Sequence, residues 1–139
     1  MSEECIFCKF VKDPSMLKII YENKQTLAFL DIRPASPKGG HILVIPKKHY
    51  ELITEIPEKE LNALIQTVKK VTKAVIKYSE GANVLMNNKK AAGQYVMHAH
   101  FHIIPRFKED NIKIEQWDSH PYKDGEMVKV TNKLKSFLE

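Results

Sequence analysis

The sequence predicts an α+β domain with an antiparallel sheet of about five strands, one long helix and a C-terminal helix. Two observations predict it. Short apolar runs are joined by brief links rich in polar residues, glycine and proline, which suit antiparallel hairpins. After Pro57 the apolar residues recur at three- and four-residue steps instead, which indicates an amphipathic helix. With 139 residues the chain can bury one core, so 1–139 is predicted to be a single domain.

Four of the predicted strands are short apolar runs. Residues 17–21 and 26–31 are predicted to form the first hairpin. The proline, glycine and serine residues of 33–40 predict a loop. After it, 41–45 is a nearly continuous apolar run and predicts a central strand, and 82–87 predicts the fourth strand.

Two helices are predicted. The long helix begins at Pro57, which suits a first helical turn, and ends before Gly81. The last helix is expected near 124–138 with Asp124 as its N-cap. Its predicted buried stripe consists of Met127, Leu134, Phe137 and Leu138.

The fifth predicted strand, 95–105, contains three of the six histidines, each two residues from the next. In an extended strand His98, His100 and His102 would share one face, about 6.5 Å apart. One use of such a row is a shared metal, although its outer members would lie about 13 Å apart. The other is catalysis, with one imidazole acting as nucleophile or base while its neighbours set its tautomer.

The cysteine pair Cys5-Ile6-Phe7-Cys8 has the spacing of two zinc ligands. A tetrahedral site needs two further ligands, for which His49 and His98 are the candidates. The alternatives are a redox pair or inert thiols.

Two segments could bind a nucleotide. In 87–94 small residues, a glycine and two lysines could turn backbone amides toward a phosphate. Asp31 could accept hydrogen bonds from two ribose hydroxyls, with Phe29 and Ile32 as an apolar wall for a base. The alternative is that Asp31 merely caps a turn before Pro34.

Charge and composition limit the partners. The net charge of +5 suits anionic ligands, but the lysines are spread along the chain, so no nucleic acid is expected. No apolar window is long enough for a membrane span, and the N-terminus begins with acidic residues, so no membrane association is expected. Two cysteines in a chain without a visible leader favour the cytoplasm.

The segment HAHFHIIPR resembles the signature of the histidine triad family, His-x-His-x-His followed by apolar residues. CIFCKF, LAFLDI, HILVIPKKH and NNKKAAGQ resemble further landmarks of the family in their usual order, so the likeness covers about residues 5–106. It implies an HIT-like nucleotide-binding fold, a homodimer whose sheets join, and hydrolysis or transfer at the α-phosphorus of a purine nucleotide derivative.

The resemblance also implies roles for individual residues. His100 would be the nucleophile that forms a covalent nucleotidyl intermediate, His102 would bind phosphate oxygens, and His41 would support the site from behind. The other implied nucleotide-binding residues are Phe7, Phe29, Asp31, Ile32, Leu43, Asn87, Gln94, Tyr95 and Val96. The implied ligands of a structural Zn²⁺ are Cys5, Cys8, His49 and His98, and His98 would thereby also hold the catalytic strand.

The expected activity is that of a nucleoside phosphoramidase-like hydrolase. The alternatives are a dinucleoside polyphosphate hydrolase or phosphorylase using the same His100, and a nucleotide-binding adaptor without catalysis. Tyr95 stands where phosphoramidases of the family commonly have a serine, which leaves the preferred leaving group open. Trp117 could cross a dimer interface or pack under the C-terminal tail.

Overall fold

The computed structural model describes residues 5–138 and contains one five-stranded antiparallel sheet in the order β1-β2-β3-β5-β4. The strands are β1 (Ile19–Glu22), β2 (Thr26–Leu30), β3 (Ile42–Pro46), β4 (Gly81–Leu85) and β5 (Phe101–Arg106). The helices are α1 (Ile6–Lys12), α2 (Glu58–Tyr78) and α3 (Glu126–Ser136). The predicted α+β class, with five antiparallel strands and one long helix, is confirmed.

Helix α2 covers one face of the sheet. Its buried side chains recur every three or four residues, and Leu64, which is fully buried, lies near the middle of that stripe. They pack against alternate residues of β2, β3 and β5, including Val44 and Ile103. Burying each such side chain contributes about 1.5–3 kcal/mol. The core therefore fixes α2 to the sheet.

Helix α1 covers the opposite face and was not among the predicted helices. Phe7 and Cys8 of α1 pack with Leu27, Phe29 and Leu43 of the sheet. The helix has seven residues, too few for a readable repeat, and it is stabilised by this packing rather than by its own propensity. Its position brings the cysteine pair close to the histidine segment.

The histidine strand is shorter than predicted. β5 begins at Phe101, so only His102 of the three histidines lies in the ladder. Before it, the Ala99 amide donates to the Tyr50 carbonyl (2.6 Å) instead of to a neighbouring strand. The predicted strand therefore begins too early and the histidines do not form one regular row, although His98 and His100 both pack against Phe7. The His100 and His102 ring centres lie 4.9 Å apart.

The C-terminal helix forms, but two details of its prediction are wrong. Its N-cap is Gly125, at a φ of 81°, and no side chain caps it, so Asp124 does not have the predicted role. The predicted buried stripe is exposed, because no described strand or helix covers it and every residue of 115–138 is exposed. The exposed fractions are 58% for Met127, 61% for Leu134, 72% for Phe137 and 82% for Leu138.

Within residues 5–138 no helix combines the length and the apolar character that crossing a membrane requires.

Candidate active site and metal centre

Three histidines, His41, His100 and His102, meet on the α1 side of the sheet. His102 pairs across the sheet with Leu43, so the two side chains share this face. His41 immediately precedes β3, and its Nε2 lies 3.0 Å from Nδ1 of His102. His100 packs its ring edge-on against Phe7, 5.1 Å between ring centres. The tertiary structure thus joins residues that are about sixty positions apart in the chain.

The backbone fixes the tautomer of His100. Its Nδ1 lies 2.7 Å from the carbonyl oxygen of His98, which can only accept a hydrogen bond. Nδ1 must therefore carry the hydrogen, and in the neutral ring the lone pair is on Nε2. That nitrogen is available as a nucleophile or base.

A backbone amide also fixes the tautomers of His41 and His102. The Ala35 amide donates to Nδ1 of His41 (2.9 Å), so Nε2 of the neutral His41 ring carries the hydrogen. It donates to Nδ1 of His102, which leaves the hydrogen of His102 on Nε2. His102 therefore presents an N–H donor beside His100.

Asp31, His41 and His102 bring three potential metal-binding atoms within 4.8 Å of one another. Because Nε2 of His41 carries the hydrogen, it has no lone pair for a metal. The Asp31 carboxylate lies 3.9 Å from this nitrogen, and its Oδ1 accepts the amide hydrogen of Arg33 (2.9 Å). The group is therefore a hydrogen-bonded chain with a carboxylate beside it.

Burial keeps these imidazoles neutral. Burial, together with smaller contributions from the neighbouring His100 and His41 rings, lowers the pKa of His102 to about 4, and Asp31 opposes this shift. Burial also lowers the pKa of His41, against the effect of Asp31. The pKa of His100 is lowered for the same reason, although its bond to the His98 carbonyl opposes the shift. Near pH 7 all three rings can hold the tautomers described above.

An apolar wall borders the histidines. Phe7 and Phe29 meet edge-to-face, 5.8 Å between ring centres, and Leu43 packs in the same cluster. These three predicted base-pocket residues are brought together. Ile32 is not among them, because it is 90% exposed in the loop after β2.

The loop before the histidines is held by one buried amide. Gln94, 2% exposed, accepts the Lys89 amide hydrogen (2.7 Å) and donates to the Glu51 and Val96 carbonyls. Both the oxygen and the nitrogen of its side-chain amide already have hydrogen-bond partners, so the side chain braces the loop. Lys89 has a φ of 74°, a conformation that bulky residues rarely adopt.

The other predicted loop residues differ in their surroundings. Asn87 makes only a 3.4 Å contact with the Gly93 carbonyl and is free to meet a ligand. Tyr95 is 96% exposed.

Two residues that hold the histidine segment and the loop before it were not among the predicted site residues. Tyr50 holds Ala99 through its carbonyl, and Asn88 accepts the Ile53 amide hydrogen (2.9 Å). No sequence signal distinguished them, because both act through long-range contacts.

The cysteine pair and two histidines form a second cluster. One potential ligand atom from each of Cys5, Cys8, His49 and His98 lies within 4.8 Å of the others. Nδ1 of His98 is 3.4 Å from Sγ of Cys5, 3.6 Å from Sγ of Cys8 and 3.2 Å from Nδ1 of His49. Tetrahedral zinc with ordinary bond lengths requires ligand separations of about 3.3–3.8 Å. The donor set therefore fits zinc.

His98 is prepared for this role by its surroundings. Its Nε2 donates to the Pro46 carbonyl (2.8 Å), so the lone pair of the neutral ring is on Nδ1, toward the cysteines. Burial lowers the pKa of His98 to about 4 and raises the pKa of the Cys8 thiol to about 11. The histidine thus needs no deprotonation at neutral pH, whereas the thiols would lose protons to a metal.

Comparison with known proteins agrees with this geometry. The sequence model of the HIT domain matches residues 14–109. The chain is similar to the adenosine 5'-monophosphoramidase of Schizosaccharomyces pombe, with 41% identity over 135 residues, 97% of this chain and 98% of that protein. A solved HIT family structure from Bacillus subtilis is similar at a TM-score of 0.88 and 34% identity, covering 99% of each chain.

A second solved structure bears on the metal. It is a zinc-bound histidine triad family protein from Mycobacterium smegmatis, similar at a TM-score of 0.72 and 30% identity, covering 96% of each chain. The domain match spans well over half of the sequence, and the yeast relative is similar along nearly its whole length. This chain belongs to the histidine triad (HIT) family.

Proposed function

We propose that this protein is a nucleotide hydrolase that releases a nucleoside monophosphate from phosphoramidate or ester derivatives by attack of His100 on the α-phosphorus. The observation that carries the proposal is the pair of tautomers: the lone pair of His100 is on Nε2, and the His102 ring, 4.9 Å away between ring centres, offers an N–H. A nucleophile and a donor for phosphate oxygens are the two groups that this chemistry needs. The monophosphoramidase activity of the yeast relative supports the choice of substrate class.

In the first step Nε2 of His100 forms a bond to phosphorus while the bond to the leaving nitrogen or oxygen breaks. The leaving group keeps the electron pair and takes a proton from water or from the exposed Tyr95 hydroxyl. The His100 ring keeps its Nδ1 hydrogen and becomes a nucleotidyl-imidazolium. Its positive charge is stabilised by the His98 carbonyl, which accepts that hydrogen.

In the second step water attacks phosphorus and the P–Nε2 bond breaks. The electron pair returns to His100, one proton of the water passes to solvent and the other stays on an oxygen of the released monophosphate. In both steps the His102 N–H and backbone amides of 95–96 would stabilise the charge on the phosphate oxygens. His41 would act through His102 by holding its tautomer.

The rest of the nucleotide would lie along the apolar wall. Phe7, Phe29 and Leu43 offer a surface for a purine, and the free carboxylate oxygen of Asp31 is suited to ribose hydroxyls. Asn87 would contact the phosphate directly, whereas Gln94 would act by bracing the loop. The exposed Ile32 would contribute only if the bound base extended over the loop. Hydrolysis of adenosine, guanosine and cytidine phosphoramidates, compared by kcat/KM, tests the purine preference.

Trapping of the intermediate tests the mechanism. Reactions with labelled adenosine phosphoramidate, quenched within a turnover, should leave label on the wild-type protein and none on His100→Ala. His120→Ala is the matched control, because His120 lies in the exposed C-terminal segment, and it should retain label and turnover. Undiminished turnover by His100→Ala, or label that never appears on the wild type, would contradict the proposal.

A substrate panel separates the alternatives. A diadenosine polyphosphate preferred over the phosphoramidate by orders of magnitude in kcat/KM would favour a polyphosphate hydrolase through the same His100. If inorganic phosphate were needed for turnover, the enzyme would be a phosphorylase. Tight binding of adenosine monophosphate with no turnover of any substrate would identify an adaptor.

We also propose that Cys5, Cys8, His49 and His98 bind one structural Zn²⁺. The support is the convergence of two thiols and two imidazole nitrogens, together with the zinc-bound mycobacterial neighbour. Bound zinc would hold α1 to the segment before β5, and with four protein ligands it would leave no position for water. The two thiols would need a reducing compartment, which keeps the cytoplasm as the predicted location.

Metal analysis tests the zinc site. Protein purified without added zinc should contain one equivalent per chain, and a Cys5→Ser, Cys8→Ser double variant should contain none. If that variant does not fold, replacement of zinc by Co²⁺ in the wild type should produce the thiolate-to-cobalt absorption bands of a tetrahedral site. A stable wild type that contains no metal would refute the site.

We further propose a homodimer, as the family resemblance implies. The support is an unpaired edge strand, β4, and the apolar stripe that α3 exposes to solvent. Light scattering after gel filtration should give twice the chain mass at micromolar concentration. Leu134→Lys should weaken the dimer if α3 belongs to the interface, and a monomeric wild type would contradict the proposal.

A further inference from the structure

The fold collects lysines that are scattered along the sequence. One cleft, about 280 Å³, lies between β1 and α2 and contains Lys69, Lys70 and Lys73 among its lining residues. A second cleft, about 420 Å³, lies at the end of the sheet and is lined partly by Lys24, Lys47, Lys48 and Lys59. The turn between β1 and β2 separates them, because Asn23 lines the first and Lys24 the second. We call these seven lysines and their two clefts the basic face.

Most of this charge has no acidic partner. Lys47 pairs with Glu22 (2.7 Å), and Lys70 lies over the Tyr21 ring, 4.7 Å from its centre. The other five lysines make no ion pair with any residue of 5–138. The one acid lining either cleft is Glu60, whose carboxylate accepts the Tyr50 hydroxyl hydrogen (2.7 Å). The basic face therefore carries a concentrated positive potential.

The dimensions indicate an extended anion. From Lys59 to Lys73 the basic face follows α2 for about 21 Å, at 1.5 Å per residue. A mononucleotide cannot neutralise charges spread over that length, whereas a duplex carries about one negative charge per 1.7 Å of its axis. Three free ammonium groups along α2, with those of Lys24 and Lys48 in the cleft that Lys59 also lines, match a run of backbone phosphates.

We infer that the basic face binds the phosphate backbone of a double-stranded nucleic acid without sequence preference. Lysine makes point-charge contacts, and the clefts contain no arginine for bidentate base recognition. Single strands are bound by stacking bases on exposed aromatic rings. The one aromatic residue lining the clefts, Tyr21, is half-buried and covered by Lys70.

This binding is separate from the proposed hydrolysis. α2 packs on one face of the sheet, whereas His102, Leu43 and α1 lie on the other. The expectation of no nucleic acid rested on the spread of lysines along the sequence, and folding removes that premise. Loss of the basic face should leave phosphoramidate hydrolysis unchanged, so either proposal can fail alone.

Fluorescence anisotropy with a 20-base-pair duplex of mixed sequence, at 50 and 200 mM salt, tests the inference. The test variant is Lys24→Gln, Lys69→Gln, Lys73→Gln. The control variant, with the same change in net charge, is Lys108→Gln, Lys113→Gln, Lys123→Gln, which replaces three exposed lysines that follow β5. Thermal unfolding and hydrolysis rates establish that both variants are folded.

The wild type should bind the duplex, with an affinity that falls steeply with salt. The test variant should bind at least about tenfold more weakly at 50 mM salt, and its slope of log affinity against log salt should be smaller by about 3. The control should stay within about twofold. The inference is overturned if the wild type does not bind the duplex or if both variants lose the same amount of duplex affinity. It is also overturned if a single strand or polyglutamate binds to the wild type more tightly than the duplex does.

Discussion

Replacement of His41 tests whether a hydrogen-bond chain sets the chemistry of His102. Nδ1 of His41 accepts from the Ala35 amide at 2.9 Å, and its Nε2 donates to Nδ1 of His102 at 3.0 Å. Leucine can do neither. In His41→Leu, Nδ1 of His102 would face a side chain that cannot donate, so we expect the hydrogen of His102 to move to Nδ1 and the donor aimed at the phosphate to be lost.

The loss of one preorganised donor to a developing oxyanion reduces kcat by about 10²–10³. His41→Gln is the matched variant, because its amide can accept from Ala35 through oxygen and donate to His102 through nitrogen. We expect it to lose less than about tenfold. KM should change less than kcat in both, since the donor matters most in the transition state.

The assay combines single-turnover hydrolysis of adenosine phosphoramidate with nitrogen-15 NMR of the His102 ring. The wild type and His41→Gln should have the hydrogen of His102 on Nε2, and His41→Leu should have it on Nδ1. Equal rates for the leucine and glutamine variants, or an unchanged His102 tautomer in His41→Leu, would refute the reasoning. Both variants should keep the wild-type thermal midpoint within a few degrees for the comparison to be valid.

Two further predictions concern stability. Burial lowers the pKa of His102 to about 4, whereas the unfolded chain titrates near 6.5, so between these values the unfolded state binds the additional proton. The free energy of unfolding should therefore fall as pH falls from 6.5 to 4. The His102→Asn variant should lose less of this free energy over the same range, by an amount of the order of 1 kcal/mol after solvent screening. Urea unfolding at fixed protein concentration measures the difference, and parallel pH profiles of the wild type and the variant would contradict the prediction. Gly39 and Gly40 both have positive φ, but a Cβ on Gly40 would lie 2.8 Å from the Tyr78 ring whereas one on Gly39 meets nothing within 4 Å. Gly39→Ala should cost about 1 kcal/mol and Gly40→Ala about 1–2 kcal/mol more, and equal losses in urea unfolding would show that the ring yields without cost.

The agreement between sequence and structure is best where a long repeat dominates. Leu64 and Val75 belong to a stripe that recurs over twenty-one residues of α2, and burying such a stripe outweighs local preferences. The first four strands were predicted within about two residues because β-branched residues and turn signals delimit them, whereas β5 begins six residues later than predicted. In contrast, α1 and the segment before β5 depend on contacts with distant residues. The Ala99 amide bonds to Tyr50, and no local pattern encodes that partner.

The candidate site divides in the same way. The spacing of the cysteines and of the three histidines could be read directly, together with the residues of the family's motifs. Ile32 lies outside the apolar wall and Gln94 is turned into its own loop, because side-chain direction in a loop is set by packing. The exposed apolar stripe of α3 shows what an amphipathic pattern cannot predict. An amphipathic pattern indicates a face that needs cover, but it does not say that the cover lies within the same chain.

The amino-acid sequence by itself determined the α+β class, the long helix, the family and the types of group that the site would contain, because periodicity and motif spacing are local properties. The tertiary structure alone decided the tautomers of His41, His98, His100 and His102, the meeting of two thiols with His49 and His98, and the gathering of scattered lysines into one face. Hydrogen-bond partners and electric fields depend on distances through space, and residues far apart in the chain acquire those distances only when the core forms.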